Sequence, residues 1–123
     1  MTSAARVDRI GVRTLGYAAA MARHRQPYRS PRDWIAEGEW PDGAFSEDAP
    51  TAVAYAVEIA RRLEARLQGQ SKSELARQAE IERTTLYDVL AGRTWPDAIT
   101  LAKLEQALET RLWPDHPVPP LRN

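Results

Sequence analysis

Residues 71–96 read Ser-Lys-Ser-Glu-Leu-Ala-Arg-Gln-Ala-Glu-Ile-Glu-Arg-Thr-Thr-Leu-Tyr-Asp-Val-Leu-Ala-Gly-Arg-Thr-Trp-Pro, and their apolar positions are sparse and regularly spaced. Leu75 and Ala76 share one side of a first short helix expected over about 72–79. Ile81 plugs a turn, and Leu86, Val89 and Leu90 share one side of a second helix over about 83–91. Three- and four-residue steps of this kind let two short helices cross steeply and bury one side each. Ala76 has to be small, because the helices approach most closely there. Ser71 and Glu74 have capping-box spacing: the serine oxygen takes the N3 amide and the glutamate reaches back to the cap's own amide. Gly92 suits the left-handed residue that ends a helix.

The outward positions of the second helix are Arg83, Thr84, Tyr87 and Asp88, with Thr85 beside them. All can hydrogen-bond, so this is an interaction face. Arginine forks fit guanine edges, threonine offers hydroxyl or methyl contacts, and aspartate accepts from cytosine N4.

Upstream, Val53, Ala56, Val57, Ala60, Leu63 and Leu67 recur at helical steps from Thr51 and stop before Gly69. Downstream, Pro96-Asp97 caps a helix with Ile99, Leu101, Ala102, Leu104 and Leu108 on its expected inner side, ending at Leu108 or Glu109. After Trp113 the prolines at 114, 117, 119 and 120 predict an extended tail. Ser30-Pro31-Arg32-Asp33 opens a short helix expected over 31–38, and Trp40-Pro41-Asp42-Gly43 is turn chemistry. Val7, Ile10, Leu15, Ala18, Met21 and Ala22 make a ragged stripe on a helix ending near Arg25, before Gln26-Pro27. Strand signals are absent. The expected fold is all-α: a compact bundle of four to five helices, with a helical or irregular N-terminal extension and a Pro-rich C-terminal tail. Its expected divisions are an extension at 1–48 with one or two short helices, a domain at 49–113 and a tail at 114–123.

The net charge of zero conceals a polarised N-terminal part. Residues 1–32 hold seven arginines (Arg6, Arg9, Arg13, Arg23, Arg25, Arg29, Arg32) against Asp8, a local +6. Residues 33–50 hold six acids (Asp33, Glu37, Glu39, Asp42, Glu47, Asp48) and no base, a local −6. The arm either tracks DNA phosphates, releasing counterions as it does so, or is a solvated extension; the acids read as a solvated connector. Trp34 and Trp40 are expected to pack against the helix from Thr51, with a subunit interface as the alternative. Trp95 is expected to anchor its loop and Trp113 to seal the end of the bundle.

Several classes drop out. With no cysteine there is no disulfide scaffold or thiolate metal site, and His24 and His116 have no companions at ligand spacing. No nucleophile-base pair or phosphate-cradling glycine loop is present, so no enzyme and no cofactor are expected. No N-terminal apolar run has the length of a signal peptide or membrane span, which leads to an expectation of a cytoplasmic, nucleoid-associated protein without membrane contact. Fifteen of the seventeen basic residues are arginine, a usage that suits a GC-rich bacterial genome or its phages.

The run from Leu75 to Pro96, followed by an apolar helix, resembles the lambda-repressor/Cro family, also called the xenobiotic-response-element family, over about 51–108. The resemblance implies about five helices, with 83–91 in the major groove of double-stranded DNA and the start of 72–79 across a phosphate strand. It makes Arg83, Thr84, Tyr87 and Asp88 base readers, and Ser71, Lys72, Arg77, Thr85, Arg93 and Thr94 phosphate contacts. Glu80 departs from the family's frequent glycine, and a left-handed conformation there costs on the order of 1 kcal/mol. Glu82 replaces a common serine or threonine cap. The implied function is sequence-specific transcription regulation, as a homodimeric repressor on an inverted repeat. The rival is an antitoxin or interaction module holding a protein partner through residues 1–50.

Overall fold

The computed structural model describes residues 29–121. A 3-10 turn at Pro31–Trp34 leads into a two-stranded antiparallel sheet of β1 (Ile35–Glu37) and β2 (Ala44–Phe45). Four α-helices follow among the described residues: α1 (Thr51–Arg66), α2 (Lys72–Ala79), α3 (Arg83–Leu90) and α4 (Ala98–Leu108). The stripe expected over 7–22, the arginines up to Arg25, and His24 lie outside the described residues.

The helices gather around an aliphatic core. Ile59, Leu63 and Leu67 meet Leu75 and Ala76 of α2, Leu86 and Val89 of α3, and Leu101, Leu104, Leu108 and Leu112. Ile81 and Leu90 pack at its edge. Fully burying each large side chain contributes roughly 1.5–3 kcal/mol, which is what holds helices of only eight residues in place. Beside it stands an aromatic core: Trp34 and Phe45 lie against Val53 and Val57, with Ile35, Trp40 and Trp95 around them. α1 serves both cores, packing on α3 and on the 3-10 turn.

Three expectations are corrected. The all-α expectation fails at residues 35–45, because the short helix expected over 31–38 stops at Trp34. Ser30 is the N-cap as read, its amide donating to the Asp33 carboxylate at 3.0 Å, but the chain then extends. Ile35 pairs with Phe45 and Glu37 with Ala44, and the Ser46 amide donates to the Trp34 carbonyl at 2.9 Å. Extension lets Trp34 and Phe45 bury together, and strands of three and two residues are too short for alternation to register in the sequence.

The inner face of α4 is Leu101, Leu104 and Leu108, while Ala102 is exposed and Ile99 is 70% exposed. Residues two apart on a helix point roughly 200° apart, so Ile99 and Ala102 cannot share a face with Leu101 and Leu104. Trp113 does not seal the bundle: Leu112 is fully buried there, and Trp113, 47% exposed, stacks on Tyr55 at 5.0 Å between ring centroids. The Glu105 carboxylate sets this reversal by accepting the amides of Leu112 and Trp113 at 2.8 and 2.9 Å. Those two donors, Trp113 first, hold its pKa below the ordinary carboxylate value.

Candidate nucleic-acid interface

The interface is built on α2, the turn after it, and α3. Ser71 caps α2, its Oγ accepting the Glu74 amide at 3.2 Å. The other half of the expected box is replaced: the Glu74 carboxylate takes Arg77 Nε at 3.2 Å, Arg77 Nη2, and Gln78 Nε2 at 3.3 Å. The Arg77 hydrogen bond holds Glu74 below its ordinary pKa, and Glu74 in turn raises that of Arg77. Arg77 is thus ion-paired on the protein rather than held out free.

The turn is closed by Glu80 in the left-handed region, φ 59 and ψ 46. Its amide donates to the Arg77 carbonyl and the Ile81 amide to that of Ala76, at 3.1 and 3.0 Å. The Glu80 carbonyl accepts Lys103 Nζ from α4 at 3.3 Å. That contact helps explain how a glutamate is tolerated at a position suited to glycine. Glu82 is the N-cap of α3 and makes no side-chain cap bond, so the amides at the start of α3 have no capping side chain from that residue.

α3 turns Leu86 and Val89 inward and leaves Arg83, Thr84 and Tyr87 exposed, with Thr85 and Asp88 half-buried. Arg83 lies 6.0 Å over the Tyr87 ring and its Nη1 reaches Ser73 Oγ at 3.4 Å, so the two helices share an outer polar surface. Asp88 is not free: its carboxylate accepts Arg93 Nε at 2.9 Å, and its carbonyl accepts the Arg93 amide at 2.9 Å. Lys72 and Arg93 border one shallow depression of about 360 Å³ with Tyr87, Leu90 and Ala91, which brings two cations and a tyrosine to one surface. Ser71 is exposed and Thr94 half-buried on the flanking segments. Trp95 anchors its loop as expected, donating its indole N–H to the Arg29 carbonyl at 2.7 Å.

Contacts from outside this segment complete it. The Trp40 indole N–H donates to the Leu90 carbonyl at 3.0 Å, and the Arg32 amide to the Gly92 carbonyl at 2.9 Å. Gly92 is left-handed, φ 71, as its C′ position requires, and a Cβ there would strike the Trp40 ring. Neither Trp40, Arg32 nor Lys103 stood out in the sequence as belonging to the site, because each joins it only through long-range contact. Among the described residues no group of three or more His, Cys, Asp or Glu could hold a metal ion. Nor is any described helix long and apolar enough to cross a membrane.

Two short helices joined by a tight turn, with a polar outer face on the second, define a helix-turn-helix unit, the DNA-binding element of transcription regulators. Residues 59–112, which include this unit, match the family model described as Helix-turn-helix. No curated protein and no solved structure matches the chain.

Proposed function

We propose that the chain is a sequence-specific repressor that binds an inverted repeat as a homodimer, with α3 in the major groove. The observation that carries this reading is the division of α3: Leu86 and Val89 are buried while Arg83, Thr84 and Tyr87 face outward, uncovered by other described elements. Arg83, Thr84, Tyr87 and Asp88 take the base edges. Ser71, Lys72, Arg77, Thr85, Arg93 and Thr94 take phosphates, the first three aided by the amides at the start of α2. Arg77 and Arg93 exchange Glu74 and Asp88 for phosphate oxygens on binding, which lowers their net contribution relative to an unpaired cation.

A pair of subunits follows from the small reach of one eight-residue helix. Support for a second copy comes from the exposed side chain of Ile99, and from that of Trp113, which with Pro96 borders two adjoining grooves of about 390 and 450 Å³. The half-sites are then centred about 34 Å apart or a multiple of that. The residue ranges 1–48, 49–113 and 114–123 serve in this proposal as extension, DNA-binding domain and tail, in a protein working at the nucleoid.

The test is selection of bound duplexes from a random pool, followed by titration of variants. Arg83→Ala should lose about 1–3 kcal/mol of discrimination at one base pair, whereas Lys72→Ala should weaken all duplexes alike and reduce the salt slope by about one. Sequence-independent losses for both contradict the roles assigned, and a footprint with one unrepeated half-site removes the dimer.

A further inference from the structure

The last four carbonyls of a helix lack intrahelical partners and must find others. At the end of α3, Tyr87 accepts the Ala91 amide at 3.0 Å, Asp88 that of Arg93 at 2.9 Å and Val89 that of Gly92 at 3.2 Å. The fourth, Leu90, is reached by the indole N–H of Trp40, fifty positions earlier in the chain. The Trp40 ring also fills the space beside Gly92, whose carbonyl takes the Arg32 amide. The hairpin of β1 and β2 therefore grips the end of α3, although it precedes the segment 59–112 that carries the family match.

Leu90 and Ala91 form a wall with two sides. On one they border the depression shared by Lys72, Tyr87 and Arg93. On the other they line a cavity of about 470 Å³ with Arg32, Ile35 and Trp40. α3 has eight residues and spans about 12 Å, so a displacement at its end reaches every outward side chain.

We infer that Trp40 is a positioning residue for DNA reading: its indole N–H holds the C-terminal end of α3, and the hairpin thereby sets how Tyr87 and Asp88 meet the duplex. This rests on the DNA-binding reading above. Trp40 itself touches no base. It acts by fixing one end of the helix whose other end is anchored by Leu86 and the Arg83–Ser73 contact.

The experiment uses the full chain and a duplex selected by the wild type, with a random duplex of equal length. Trp40→Phe keeps a ring beside Gly92 and removes the donor. Trp34→Phe is the control, since it changes the same hairpin but removes an indole N–H that has no hydrogen-bond partner. Circular dichroism at the assay temperature establishes that each variant is folded. Trp40→Phe should lose about fivefold to tenfold in affinity for the selected duplex and nothing for the random one, a drop a general loss of stability does not produce. Trp34→Phe should change neither. If Trp40→Phe does not fold, the wild-type chain carries the test: the NMR signal of the Trp40 indole N–H should move on adding the selected duplex and stay in place with the random one. Equal losses on both duplexes, no loss in a folded Trp40→Phe, an equal loss of discrimination in Trp34→Phe, or an unmoved Trp40 signal overturns the inference alone. A wild type that selects no duplex overturns the DNA-binding reading, and this inference with it.

Discussion

The aliphatic and aromatic cores meet on α1 and are built by different means. In the first, leucines and alanines repeat along α1, α2, α3 and α4, and each helix contributes a stripe. In the second, Trp34, Phe45, Val53 and Val57 come together with Trp40 and Trp95 from a 3-10 turn, a strand, a helix and two loops, with no common period. The aliphatic core makes the helix-turn-helix; the aromatic core fastens its far end. Regular burial gives an interface its shape, while a few directional hydrogen bonds, Trp40 to Leu90 and Trp95 to Arg29, set where its ends lie.

This contrast can be broken or sharpened by substitution. The largest effect is expected for Leu63→Ala at the centre of the aliphatic core, which should cost about 2–5 kcal/mol. Urea unfolding followed by circular dichroism and by tryptophan fluorescence should show both midpoints falling together. Fluorescence that holds its midpoint while helicity melts would separate the cores into independent units.

Gly92→Ala comes next, at about 1–3 kcal/mol, because it combines a left-handed backbone with a Cβ directed into the Trp40 ring. The same unfolding measurement checks it, and a loss below a few tenths of a kcal/mol would mean that the hairpin yields without strain. The smallest change is expected for Trp34→Phe, within about 1 kcal/mol. Some packing volume goes, but so does a buried N–H without a partner. A loss well beyond that would show that the indole nitrogen carries weight in the aromatic core.

The readable part of the fold was the part with a period. Val53 to Leu67, Leu75 with Ala76, and Leu86 with Val89 fall where three- and four-residue steps place them, and the ends at Ser71 and Gly92 follow from cap chemistry. The outward set Arg83, Thr84 and Tyr87 was readable for the same reason, as the complement of the buried stripe. Where the stripe was drawn too wide, at Ile99 and Ala102, the helical angle corrects it. The capping-box spacing was right for Ser71 but could not tell that Glu74 has a stronger attraction to Arg77 than to the cap's amide.

By itself, then, the sequence determined the helices, their order, the tight turn and the polar face of α3, because these depend on neighbours within about one helical turn. The tertiary structure decided the hairpin, the partner of the Leu90 carbonyl, the Lys103 contact that supports Glu80 and the choice of Leu112 over Trp113 as the inner residue. Each joins groups distant along the chain or depends on which side chain wins the limited interior space, and such competition leaves no local pattern to read.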